Sequence, residues 1–168
     1  MNNLAPLRQW PEPLRWLTFV FLLVLSVGYF TGLAFVEHTT EMTGSGIVEN
    51  YNGNEDNPEA ETMKFKKAER DMLNIVHAHI LSLSLIFFVL AFLVYLCEVR
   101  EKLKNFLMVE PMISVLVTFG GIYLIWLGVE WMSIVVMISG FLMTLSYAVS
   151  VLVIFKELFF ASPRSMAE

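Results

Sequence analysis

Three histidines, His38, His77 and His79, are the residues of this 168-residue chain whose types best suit metal or redox chemistry. Imidazole is the commonest protein metal ligand and the side chain that titrates nearest neutral pH. A b-type haem takes axial ligands from opposite sides of its ring, and small residues let that ring approach a backbone. His77 or His79 would supply one ligand and His38 the second, with Met42 as its substitute, while Gly28 and Gly32 would open the groove. No C-x-x-C-H run exists, which excludes c-type attachment. Glu37, His38 and Glu41 joined by one further histidine offer donor types for zinc or copper instead. Two residues apart on a regular helix means about 200° of rotation. His77 and His79 therefore cannot grip one ion together.

The same residues also have a purely structural reading. Gly28-Tyr29-Phe30-Thr31-Gly32 is a small-xxx-small run, whose usual role is close helix packing. Gly120, Gly121, Ser139, Gly140, Ser146 and Ser150 fit that role too. Histidines near a membrane surface can simply bond loop backbone.

The elements that must position these groups are hydrophobic helices. The chain is 57% hydrophobic and 16% charged, with mean hydropathy +0.64. A soluble domain has about 25% charged residues, so the composition is that of a membrane protein. Four stretches are long enough to cross about 30 Å of hydrocarbon. They cover 14–36, 72–97, 106–127 and 131–155, with a loop over 37–71. The expected fold is an all-α integral membrane protein, four transmembrane helices in an antiparallel bundle with an external loop between helices 1 and 2. The first stretch is too long for a secretory signal core and lacks a cleavage pattern. Pro111 is expected in the first turn of the third span, where its missing N–H is harmless.

Net charge is −5, and residues 37–71 hold all of the imbalance, with nine acidic against four basic. Elsewhere the count is seven against seven. Arg8, Arg15, Arg100, Lys102, Lys104, Lys156 and Arg164 fall on one side if both termini are cytoplasmic, which the distribution of Lys and Arg predicts. Trp16 then marks the inner boundary, and Trp126 and Trp131 the outer one. The acidic balance excludes a nucleic-acid binder relying on basic charge, and the lone Cys97 excludes a disulfide scaffold. At the inner edge of span two, Cys97 is a candidate for acylation. Glu110 and Glu130 are expected at the ends of span three, reaching headgroup water. That placement leaves no acid for a proton relay and argues against a pump.

At about 35 residues the loop is too long for a bare turn. A short helix is predicted over 45–51, capped by Thr43 or Ser45. Asn52 to Pro58 is rich in turn formers, and Met63 and Phe65 suit a membrane interface. The loop reads as a cap, a docking surface or a solvated connector.

His38-Thr39-Thr40-Glu41-Met42-Thr43, Gly46 to Glu55, Met63-Lys64-Phe65 and Asn74-Ile75-Val76-His77-Ala78-His79 carry a resemblance. The chain resembles small bacterial four-helix membrane proteins that accompany respiratory electron-transfer components. The resemblance covers spans one and two with their loop. It implies a small membrane subunit of a respiratory or redox complex, with haem b near the outer face.

Two other functions fit the residues: a non-catalytic scaffold or assembly protein docking a partner, and a metal-handling membrane protein. The expected partners are the lipid bilayer and other membrane subunits, without nucleic acid. The expected location is the bacterial inner membrane, with no enzymatic activity of the chain's own. Hydrolase signatures such as G-x-S-x-G and H-E-x-x-H are absent from the sequence.

Overall fold

Apolar runs flanked by good helix formers give helices longer than the bilayer requires. In the computed structural model, which describes residues 5–55, 57 and 62–160, a short 3-10 turn at Leu7–Gln9 precedes five helices. These are α1 (Glu12–Thr40), α2 (Gly44–Asn52), α3 (Glu69–Tyr95), α4 (Glu101–Trp126) and α5 (Met132–Phe159). All but α2 are long and apolar enough to cross a membrane. The protein is an all-α, multi-pass membrane protein. Asp56, Pro58, Glu59, Glu61 and Arg164, counted above for charge or turns, lie outside the described residues.

The chain runs up, down, up and down, so Leu7, Leu96, Lys104 and Leu158 gather at one end. The α1–α3 connection and the α4–α5 turn form the other. α4 is the central helix, packed on both α3 and α5. Its buried side chains, among them Leu107, Pro111, Ser114, Val115, Thr118 and Ile122, recur at three- and four-residue spacing. Facing them on α5 stand Ser133, Val136, Ser139, Met143, Ser146 and Ser150. Small residues let these two helices approach closely. A Cβ on Gly121 would fall 2.6 Å from Val136 Cγ2.

The α4–α5 turn closes as a helix C-terminal motif of the Schellman type. Gly128 takes φ +98°, its N–H bonds the Ile125 carbonyl at 2.8 Å, and the Val129 N–H bonds the Leu124 carbonyl at 3.0 Å. Because α4 starts at Glu101, Pro111 lies in the helix interior and is buried, not in the first turn as expected. Glu101, Lys102 and Lys104 are strong helix formers and extend the helix below the span.

α1 is the loosest element. Only Thr18, Leu22 and Thr40 are buried along its length. It is tied at three levels. At the end holding the termini, Leu7 is fully buried, its N–H bonds the Leu96 carbonyl, and Arg8 forks onto Glu98. There Arg15 also bonds the Leu158 carbonyl. Midway, Ser26 bonds Tyr147 at 2.9 Å and Tyr29 bonds Thr144 at 3.1 Å. At the far end α2 folds back over the bundle.

Candidate functional site

The loop turns out to be a folded cap, and its own sequence explains how. α1 stops where Glu41 and Met42 both adopt left-handed backbone, at φ 53° and 51°. Two successive non-glycine residues there are strained, a condition that persists only when surrounding structure enforces it. Thr43 then caps α2, its hydroxyl accepting from the Gly46 N–H at 3.0 Å. Gly46 must be glycine, because a Cβ would lie 2.0 Å from the Thr40 carbonyl oxygen.

Beyond α2 the chain pairs with its own return. Gly53, at φ 85°, bridges Phe65, and the Lys67 N–H bonds the Tyr51 carbonyl at 3.1 Å. Asn54 fastens both sides. Its amide donates to the Thr62 carbonyl at 3.0 Å, and its side-chain oxygen accepts from the Lys64 N–H at 2.7 Å. The cap is also bolted to α4. Asn52 donates to the Ile125 carbonyl at 2.7 Å and Trp126 donates to the Lys67 carbonyl at 2.8 Å. Lys66 sits over the Trp126 ring and Lys67 over Tyr51. Burial pushes the Tyr51 phenol above its ordinary range, against a smaller opposing effect of its hydrogen bond to Asn50.

Between the end of α1, α2 and the returning segment 62–67 lies a polar basin of about 650 Å³. Glu41 and Glu49 supply negative wall, Lys64 and Lys67 positive wall, and His38 stands at the rim. Lys64 Nζ donates to the Thr39 carbonyl at 3.2 Å, which holds it against α1. Opposite charges in one lining suit a zwitterionic or mixed-charge group better than a plain anion or cation.

The three histidines do not converge. His38 lines the basin. His79 stacks on Phe119 of α4, with centroids 4.7 Å apart, and its Nδ1 lies 2.7 Å from the Ile75 carbonyl. His77 is exposed elsewhere around α3, as their spacing requires. Among the described residues no three His, Cys, Asp or Glu side chains gather as a metal site. The groove expected between Gly28, Gly32 and span two is absent. The α1 side carrying Thr18, Leu22, Leu25 and Tyr29 packs inward, so both glycines point outward with nothing within 4 Å of a Cβ. Cys97 is buried, its thiol on the Leu93 carbonyl at 3.3 Å, and so is shielded from acylation.

Glu110 corrects a further expectation. Rather than reaching headgroup water, it faces α5. Its carboxylate accepts from Ser114 at 2.5 Å and from Ser146 across the helix interface. The signal lay in the sequence: a glutamate with serine four residues on, and a buried serine stripe on the next helix. Glu130, by contrast, is exposed at the α4–α5 turn.

No curated protein and no solved structure matches the chain. A family model describing a transmembrane helical domain, Aq_1264_TM, matches residues 41–165, from the strained Glu41 through α5. That match identifies a helical membrane domain and carries no respiratory role. The chain belongs to this family of transmembrane helical domains.

Proposed function

We propose that the protein is a non-enzymatic membrane subunit that docks a partner through its cap. The observation that carries this reading is the basin itself. A surface connector needs neither strained backbone at Glu41 and Met42 nor an asparagine stapling two segments together. Those features hold mixed-charge walls in fixed positions, as a docking site for a mixed-charge segment of another membrane subunit requires. In this reading the termini lie in the cytoplasm of a bacterium, following the Lys and Arg distribution, and the cap faces outward.

Extraction of native membranes in mild detergent tests the idea. A stoichiometric complex is expected, lost with Glu41→Lys in the basin wall and kept with Glu55→Lys outside it. A chain that emerges alone from native membranes sinks the reading.

One observation favours a second reading, haem ligation by His79. A carbonyl oxygen can only accept, so Nδ1 carries the hydrogen bonded to Ile75, which leaves Nε2 as the nitrogen that would meet a metal. Metal-bound histidines are oriented in this way by a backbone carbonyl. A dithionite-reduced minus oxidised spectrum of the native complex decides it. A sharp α-band lost in His79→Ala supports ligation, and a featureless spectrum without iron removes it.

A further inference from the structure

Glu41, Glu49, Lys64 and Lys67 all line the basin, two charges of each sign, and among the described residues none of them forms an ion pair. Three are held by neutral groups instead. Lys64 Nζ donates to the Thr39 carbonyl at 3.2 Å and has hydrogens to spare. Lys67 stands over the Tyr51 ring. Glu49 accepts from the Asn54 amide at 3.5 Å, a long bond that leaves most of its acceptor capacity unused. Glu41 is exposed at the end of α1. Opposite charges that share a preformed cavity without neutralising each other suit an occupant that brings both signs.

The level of the basin selects the source of that occupant. α1 presents apolar side chains outward as far as Phe35 and Val36, which are 68% and 43% exposed. His38 and Thr39, the first residues of the basin, follow within one turn, about 5.4 Å along the axis. Hydrocarbon therefore ends just below the basin, which lies at the depth of lipid headgroups. Phe65 belongs to the lining and is itself 70% exposed. Met42 and Met63, next in the chain to Glu41 and Lys64, are exposed as well. Exposed apolar side chains around a polar cavity suit a membrane interface better than open water. At about 650 Å³ the basin is of small-molecule size, a class spanning about 300–1,000 Å³.

We propose that the basin binds the headgroup of a phosphatidylethanolamine lipid. The phosphate would accept from Lys64 and Lys67, and the ammonium would donate to the carboxylates of Glu41 and Glu49. A phosphatidylglycerol headgroup is an anion alone and leaves both carboxylates unmatched. A choline headgroup has no N–H to donate. Its quaternary ammonium is recognised by aromatic cages, whereas Phe65 is the one aromatic residue of this lining. The inference rests on the geometry of the basin and not on the docking of a subunit. A subunit segment entering the basin would have to displace the lipid.

The test uses the purified, delipidated full-length protein in detergent, with dioctanoyl-phosphatidylethanolamine as the probe. Native mass spectrometry reads bound lipid, and the thermal unfolding midpoint reads its effect on stability. One lipid per chain is expected, with a midpoint that rises with lipid concentration. Dioctanoyl lipids with glycerol or choline headgroups should bind about tenfold more weakly. Lys64→Gln and Glu41→Gln should each weaken binding of the ethanolamine lipid about tenfold, the loss of one charge-assisted contact. Glu55→Gln, outside the basin, should not. Equal affinity for the three headgroups overturns the proposal, as does binding that neither basin substitution weakens. Free phosphoethanolamine at the same concentration should leave the midpoint unchanged. A rise as large as the lipid's would assign the basin to a soluble zwitterion and overturn the lipid. The headgroup comparison on the wild type decides if a variant does not fold. An intact native complex without lipid binding would defeat this proposal alone, and a solitary chain that binds the lipid would defeat only the docking of a subunit.

Discussion

The rings of Tyr29 and Tyr147 lie face to face, 3.9 Å between centroids and 4° from parallel, joining α1 to α5 in the middle of the span. Each hydroxyl has its own partner on the opposite helix, Thr144 for Tyr29 and Ser26 for Tyr147. Between its two ends α1 has few other inward contacts, so this pair decides whether it stays attached there. Tyr147→Phe keeps the stack and loses one interhelical bond, a cost of about 1 kcal/mol. Tyr147→Ala removes a buried ring as well and should cost about 3 kcal/mol or more. Denaturant titration in bicelles measures both. Equal losses for Phe and Ala would show that the stack contributes nothing.

Glycines on α1 and α4 should respond in opposite ways. Gly121→Ala drives a methyl to 2.6 Å from Val136 Cγ2 and 3.2 Å from Met132 Cε. Overpacking of that kind costs about 1–3 kcal/mol. Gly28→Ala and Gly32→Ala meet open space and should leave the isolated protein as stable or slightly more so, because alanine is the better helix former. The same unfolding assay ranks the three. A large loss at Gly28 in the isolated chain would contradict the outward placement of that face.

Asn54 is the staple of the cap. Asn54→Ala leaves the Lys64 N–H and the Thr62 carbonyl without their side-chain partner, and about 1–3 kcal/mol of local stability should go with them. Amide hydrogen exchange should accelerate at residues 62–67 and not in α4. Uniform acceleration across the bundle would mean that the cap and the helices unfold as one unit.

Tyr51 makes the cap sensitive to alkali. Burial raises its phenol above the ordinary value of 10.0, so the folded cap holds the proton more tightly than the unfolded chain does. Its contribution to stability is complete below pH 10.0 and declines as pH climbs from there through the raised folded value. Exchange protection in the cap should therefore fall above pH 10, and Tyr51→Phe should lose that part of the pH dependence. Identical profiles for wild type and Tyr51→Phe would assign the alkaline response elsewhere.

Hydropathy and the placement of Lys and Arg made the four long helices legible, because each is an unbroken apolar run between polar flanks. The α2 helix was also visible, through Thr43 and the apolar Ile47 and Val48. What pattern could not give was rotation. Which side of α1 faces inward depends on Tyr29 meeting Tyr147, 118 positions later, and nothing near Gly28 encodes that. The histidines depend on rotation in the same way: His79 meets Phe119 of α4, His77 lies elsewhere around α3, and His38 lines the basin. Glu110 looks like a terminal residue because the apolar run opens only at Phe106. Glu101 to Asn105 continue the helix below that run, so Glu110 is an interior helix position, and its serine partners turn it toward α5. Distant pairings such as Asn52 with Ile125 leave no local trace.

The bond from Arg15 to the Leu158 carbonyl joins residues 143 positions apart in the chain. α1 thus has one of its anchors in α5, which is synthesised well after it. Until α5 is made, α1 has only α2 and the ties of Leu7 to Leu96 and Arg8 to Glu98 to hold it. Its sparse inward contacts suit that wait, since a helix with an apolar surface all round is at ease in lipid. Closure of α1 against α5 is then a late event in biogenesis, and loss of Leu158 would loosen α1 rather than merely shorten α5.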